Sequence, residues 1–386
     1  STCAIGHQPE QDWKIVSTIL IISPEPWSAH SVSKHHYARE LARRGHSVVF
    51  LDPPADGARG NDITQVDLSG EGISGALHVV RSARVAPGLR FWPAILRRQL
   101  EARWLARLER EIGARIDVVW LFENSRFYDM RFAGDRLKIY HQVDLNQNFH
   151  PQIAAHTADA VFCTSREIAR RLEVSGKPVT IITHGVWTHP FDPEDEAALF
   201  SEPGIHCVYC GNMSMAYLDR ETILECVSSH GEVWFHFFGG FKDGDPFRDQ
   251  LARRANVILH GKVDPDRLLA ILANADLQML CYQKAHFEDQ SNPHKMMEYL
   301  LSGSPIVASY TSAYAEISEL FVMSGPGGDF REAFDYALKN LEKYDSPALR
   351  EARIAFAMNN TYQRQVDRIA DALGAHGRAI RDGGVT

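Results

Sequence analysis

The sequence predicts an α/β protein made of two Rossmann-like domains that face each other across a cleft. Short apolar runs alternate with helix-period segments along nearly the whole chain, and a proline-rich acidic stretch near residue 190 interrupts that alternation once. In addition, 386 residues exceed what one ordinary core holds. A composition of 45% hydrophobic and 23% charged residues is that of a globular protein.

The alternation opens with Ile15–Ser23, which reads as a buried strand. A helix over His30–Arg44, a stop at Gly45 and a strand over Ser47–Leu51 follow. The connection in this βαβ opening is PEPWSAHS, without a G-x-G-x-x-G fingerprint, so a dinucleotide site of that kind is not expected. Ile116–Phe122, Leu137–His141, Ala160–Cys163 and Val179–Thr183 read as further strands, and Ser165–Val174 as a helix entered through a Thr-Ser cap. The first domain is expected over 1–185. Pro190, Pro193, Pro203 and the acidic run from Glu194 to Glu196 mark 186–204 as a linker.

A second alternation fills 205–365, and 366–386 are expected to form a helix and tail. Its strands are His206–Tyr209, Val233–Phe238, Val257–His260, Leu277–Cys281 and Ile306–Ala308. Helices are expected at Asp219–Ser228, Asp264–Ala273, Asp329–Glu342 and Ser346–Ala370. Ligands of such a pair belong at the carboxyl ends of both sheets.

The most informative stretch is SNPHKMMEYLLSGSPIVAS, Ser291–Ser309. Asn292-Pro293 stop a loop, and the helix that follows offers unpaired N–H groups to an anion. Lys295 in the first turn runs against the usual preference for acidic residues there, which a bound phosphate would explain. Glu298 shares that face and can take a ribose hydroxyl, while Met296, Met297, Leu300 and Leu301 face a sheet; on this segment alone a surface helix with a solvent salt bridge fits equally.

Composition narrows the alternatives. A formal charge of -8 and a pI near 6.1 argue against a general nucleic-acid binder. Six cysteines, at 4, 163, 207, 210, 226 and 281, do not resemble a disulfide framework, and Cys207 and Cys210 lie on an expected strand rather than at a helix start or in a zinc cluster. The run Ile15–Ile22 is too short to cross a bilayer and lacks a cleavage pattern, so cytoplasmic work is expected.

Three pieces carry a family resemblance: YCGNM at Tyr209–Met213, NVILHGKVDPDRLLAILANADLQML at Asn256–Leu280, and NPHKMMEYLLSGSPIV at Asn292–Val307. With them the chain resembles a GT-B glycosyltransferase of bacterial polysaccharide biosynthesis. The layout, with IHCVYCGNM near the linker exit and HQVD in the first domain, is also similar to the xanthan glucuronosyltransferase. The resemblance implies a nucleotide diphosphate sugar donor, UDP rather than GDP, held by the second domain, and a glycan or lipid-linked saccharide acceptor received by the first. It implies that Lys295 neutralises the diphosphate, that Glu298 sits near the ribose, and that Met213, Lys262, Tyr282 and His294 border the nucleotide. Asn292 and Gly211 join this set, the glycine as a place of close backbone approach. On its own chemistry, Lys262 suits either a ligand contact or solvent, and Tyr282 either a flat wall or a core-edge plug.

One departure from the family stands out. Many retaining relatives carry Glu-x7-Glu ending at the position of Glu298, but here the first place is Gln290, so Glu288 or Asp289 would have to substitute, or the sugar is held differently.

In the first domain, Asp144 in KIYHQVDLN follows a buried strand at the cleft end of the sheet, where a carboxylate can deprotonate an acceptor hydroxyl. Partial burial is expected to raise its pKa. The alternative is an Asp capping the next turn, and the family resemblance favours the base. Glu123, in WLFENSR, is a secondary candidate by the same logic. His141 and His184 can hydrogen-bond donor or acceptor but fit better as satisfied core-edge histidines, and His30 and Ser31 occupy the first βα loop, where the resemblance implies substrate contact although the usual glycines are missing. No metal or other cofactor is obligatory in this chemistry. Asp243-x-Asp245 reads as exposed turn chemistry.

Between His78 and Arg115 stand nine arginines against three glutamates, interleaved with Phe91, Trp92, Ile95, Leu96, Leu100, Trp104, Leu105 and Leu108. Such a segment, 81–115, suits an anionic membrane surface or an amphipathic core helix with an arginine face; nucleic acid is not expected. Two other functions fit the same donor half: a nucleotide-sugar epimerase and a non-catalytic nucleotide-sugar binding module.

Overall fold

The computed structural model describes residues 17–28, 32–55, 57, 60–68, 75–122, 126–145, 149–287 and 292–375. Two sheets organise it. The first contains β1 (Thr18–Ile22), β2 (Ser47–Leu51), β3 (Asn61–Gln65), β4 (Ala76–Ser82), β5 (Val118–Leu121), β6 (Leu137–Gln142), β7 (Ala160–Cys163) and β8 (Val179–Ile181). They lie in the order β3-β4-β2-β1-β5-β6-β7-β8, parallel except for the antiparallel edge strand β3. The second contains β9 (Ile205–Cys210), β10 (Val233–Phe238), β11 (Val257–Gly261), β12 (Leu277–Leu280), β13 (Ile306–Ala308) and β14 (Val322–Met323), in the order β11-β10-β9-β12-β13-β14, all parallel.

Helices α1 (Ser33–Arg43), α2 (Ala94–Ile112), α3 (Pro151–Thr157) and α4 (Arg166–Leu172) belong to the first unit. To the second belong α5 (Arg220–Ser229), α6 (Pro246–Ala252), α7 (Pro265–Ala273), α8 (Lys295–Ser302), α9 (Phe330–Lys339), α10 (Leu341–Tyr344) and α11 (Pro347–Met358). With layers on both faces, central strands read as continuous apolar runs. In β1 the pleat sends Ile19 and Ile21 into one core with Tyr37 and Trp120, and Leu20 and Ile22 into another with Leu105 and Tyr140.

The single helix expected over Ser346–Ala370 is two. It breaks at Asn359–Thr361, where Val186 N–H donates to Asn360 O at 3.0 Å and Tyr362 N–H to Val186 O at 3.2 Å. That bridge to the linker takes backbone groups a continuous helix would use internally. The last helix, α12 (Tyr362–Ala375), crosses back onto the first unit, burying Tyr362, Val366, Ile369 and Leu373 in the core beside α1. Arg44 fixes the crossing, 2.8 Å from Asp367. Asn340 similarly divides the helix expected over Asp329–Glu342 into α9 and α10.

The linker is fastened to the second unit. Its turn Pro193–Phe200 is held by Arg267 on Glu196 at 2.7 Å and by Asn274 Nδ2 donating to Pro193 O at 2.7 Å. Phe200 packs on His236, the middle ring of a row that crosses three strands. His206 Nε2 lies 2.8 Å from Glu202 O, His206 Nδ1 2.9 Å from His236 Nε2, and His236 Nδ1 2.9 Å from His260 Nε2.

Candidate functional site

At the centre of the second sheet β9 lies between β10 and β12, the point where strand order reverses. The loops leaving β9, β10 and β11 are tied together there. Gly211 N–H donates to Phe238 O at 2.7 Å, Gly239 N–H to Gly261 O at 2.7 Å, and Met213 N–H to Gly240 O at 3.1 Å. Gly211 has φ 148°, and a Cβ on it would stand 2.1 Å from Lys295 Nζ, so the close approach anticipated at this glycine is to Lys295 itself. A Cβ on Gly240 would meet Lys262 Cε at 2.7 Å, which lays the stem of exposed Lys262 across the neighbouring loop.

Helix α8 supplies the charged groups. Met296, Met297, Leu300 and Leu301 are buried as its periodicity predicts, together with Tyr299, whose hydroxyl accepts from Cys210 N–H at 3.0 Å. Gly303 ends the helix in the left-handed region at φ 78°. Lys295 and Glu298 are half-buried on the remaining face. Lys295 Nζ donates to the Tyr209 hydroxyl at 2.9 Å and lies 4.6 Å from the centre of that ring. Burial brings the Lys295 ammonium down to about 8, against the pull of Glu298, and pushes the Glu298 carboxyl up to about 7, against that of Lys295. Tyr209 was not singled out from the sequence, where it reads as one more apolar strand residue.

The other expected donor residues are less open. Met213 and Tyr282 are buried, Met213 with its carbonyl accepting from Arg220 at 3.0 Å and Tyr282 edge-on to Tyr217. Asn292 reaches across to the first unit, donating to Thr164 O at 2.7 Å, and its Oδ1 is buried without a partner. His294 packs against His184 and lies 3.1 Å from the Tyr362 hydroxyl.

Between the units lies a cavity of about 250 Å³ lined by Glu25, Lys34, Asp144, His184, Asn292 and His294 among others. It brings Asp144, from the loop after β6, opposite the approach to α8. Asp144 is not partly buried as expected: its side chain is 65% exposed, because it lies beyond the strand end in a loop that leaves its carboxylate open. Lys34 and Glu25, both missed from the sequence, accompany it. Lys34 is buried and lies 3.0 Å from Glu25 and 4.0 Å from Asp144. Nothing local marks them, since they are nine residues apart and Asp144 joins only through the tertiary fold.

The histidines here carry no charge at neutral pH. Burial lowers His141 to about 3, His184 to about 4 and His294 to about 3, helped in each case by nearby Lys34. His141 is not the satisfied core histidine expected: both its ring nitrogens are buried without a partner, because aromatic side chains surround it. Asp245 also departs from expectation. Its side chain is buried by Arg220 at 3.0 Å and Ser214 at 2.9 Å, while it caps α6; Asp243 is exposed. Glu123, His30, Ser31, Glu288, Asp289 and Gln290 lie outside the described residues.

The arginine-rich segment divides in two. Leu105 and Leu108 of α2 are buried, whereas Phe91 is 73% and Ile95 64% exposed, with Trp92 and Leu96 beside them. Next to this ridge a cavity of about 390 Å³ is lined by Arg84, Arg90, Phe91, Glu101, Arg126 and Tyr128 among others. Burial raises the Glu101 carboxyl to about 8. No helix of the described residues is long and apolar enough to cross a membrane.

No family model matches the chain. Over 181 residues it is 24% identical to TuaH of Bacillus subtilis, a protein whose name assigns it glycosyl transfer in teichuronic acid biosynthesis. That match covers 45% of this chain and 45% of TuaH, so the chain spans about half the length of that relative. Among solved structures, sucrose-phosphate synthase of Thermosynechococcus elongatus superposes with a TM-score of 0.67 at 14% identity, covering 93% of this chain and 99% of that one. Anabaena HepE in complex with UDP and glucose gives 0.64 at 14%, covering 93% and 100%. A glycosyltransferase of Rickettsia africae gives 0.66 at 12%, covering 94% and 99%. At these identities the likeness is one of fold, and the chain has the GT-B architecture.

Proposed function

We propose that this GT-B chain is a glycosyltransferase that moves a sugar from a nucleotide diphosphate, UDP rather than GDP, to a glycan or lipid-linked saccharide. One observation carries the reading: Lys295 opens α8 beneath Gly211, with Glu298 one turn on, and Asp144 stands across the cleft. Glu298 carries a carboxylate with no hydrogen bond among the described residues, which suits a ribose hydroxyl. The proton-acceptor role falls to Asp144. It takes the proton of the acceptor hydroxyl as that oxygen attacks the anomeric carbon, and the bond to the diphosphate breaks with its electron pair leaving on phosphate. Lys295, assisted by Lys262, offsets that charge. A single displacement of this kind inverts the anomeric carbon.

The ridge of Phe91, Trp92, Ile95 and Leu96, flanked by arginines, supports an anionic membrane surface as the place where a lipid-linked acceptor is met. Such a protein works at the inner face of the membrane. Calorimetric titration of UDP and GDP into wild type and Lys295→Ala tests the donor assignment. UDP binding that the substitution weakens supports it; no binding of either nucleotide overturns it.

A further inference from the structure

We propose that Lys34 is a positioning residue for Asp144, holding the carboxylate at the mouth of the cleft for proton transfer; this rests on the glycosyl-transfer reading. Lys34 is 2% exposed in the first turn of α1, with no solvent to balance its charge. A lysine that far from water needs anionic partners. It has two. Its Nζ donates to Glu25 Oε1 at 3.2 Å, lies 3.0 Å from Oε2, and lies 4.0 Å from Asp144 Oδ2.

These groups come from separate places. Glu25 lies in the loop after β1, Lys34 in the helix that loop enters, and Asp144 after β6, with β5 standing between the two strands. Glu25 is bound closely enough to fix the ammonium, whereas Asp144 is at ion-pair distance and beyond hydrogen-bond reach. The Asp144 carboxylate has no hydrogen bond among the described residues, and Lys34 stands near enough to orient it without occupying the oxygens needed for a proton. The loop after β1 holds no glycine, and it carries Glu25 at its start and leads into the helix that carries Lys34.

A merely structural lysine would pair with Glu25 and leave Asp144 indifferent. A double-mutant cycle on kcat separates the two. Lys34→Met is expected to lower kcat by about 10- to 100-fold, a part of the roughly 100- to 10,000-fold that a positioned general base contributes. UDP affinity, read by calorimetry, is expected to stay within about twofold, and Lys34→Met is expected to add nothing in an Asp144→Asn background. Losses that multiply in the double variant, or weakened UDP binding with kcat retained, would overturn the inference. Should Lys34→Met not fold, as shown by circular dichroism, Lys34→Gln replaces it with the same expected outcomes. Wild type that binds UDP yet transfers no sugar would instead sink the glycosyl-transfer reading, and the role of Lys34 with it.

Discussion

The ammonium of Lys295 donates to the hydroxyl of Tyr209 at 2.9 Å and lies 4.6 Å from the centre of the tyrosine ring. The tyrosine thereby aims a cation that the helix alone would leave free to turn. Tyr209→Phe keeps the ring and removes the acceptor. We expect UDP affinity to fall by about 1 kcal/mol, roughly fivefold, against about 2–3 kcal/mol for Lys295→Ala. Isothermal calorimetry reads both, and equal losses would show that the hydroxyl, not the charge, governs the site.

Stability should depend on pH through the same helix. The Glu298 carboxyl is raised from 4.5 to about 7 in the folded protein, so its contribution is present below 4.5 and is lost as pH rises through 7. Lys295 is lowered from 10.5 to about 8, so its contribution is present above 10.5 and is lost as pH falls through 8. Together they place a minimum between pH 7 and 8. Glu298→Gln is expected to remove the acid-side slope and Lys295→Met the alkaline one, as thermal unfolding across this range will report.

Gly211→Ala combines a backbone conformation unfavourable to side chains with a methyl directed at Lys295. A cost of about 1–3 kcal/mol in unfolding free energy is expected from the strain. Because the displaced atom is the lysine Nζ, UDP binding should weaken as well. Urea unfolding and calorimetry measure the two effects separately.

Arg353 is fully buried and donates to Gly303 O, Leu320 O and Tyr344 O, with distances of 2.7–3.0 Å. It thus serves the end of the helix that carries Lys295. Arg353→Met should destabilise by about 3 kcal/mol through carbonyls left without donors. Lysine should not rescue it, since one ammonium does not reproduce the planar fork. Urea denaturation gives the comparison.

Much of the architecture was legible because buried parallel strands are apolar on both faces, as in TILII of β1 and VWFHFF of β10. Helix α8 was legible from its period and its glycine stop. The edge was not: β3 is NDITQ, half-exposed and polar, held by antiparallel pairing to β4 rather than by a core. The break before α12 was hidden too, because its cause is a bond to Val186 far away in sequence. At the site, Lys295 and Glu298 were readable from local helix logic. Lys34 beside Asp144 was not, since 110 positions separate them.

The histidine row across β9, β10 and β11 has a direction. The Glu202 carbonyl can only accept, so His206 Nε2 carries hydrogen, and a neutral His206 must accept at Nδ1. His236 and then His260 are forced into the same tautomer in turn. The open nitrogen is left at His260, two residues from Lys262, while the closed end is the main chain of the linker. The segment before β9 and the strands β9, β10 and β11 are thereby joined by one chain of hydrogen bonds that runs in a single direction.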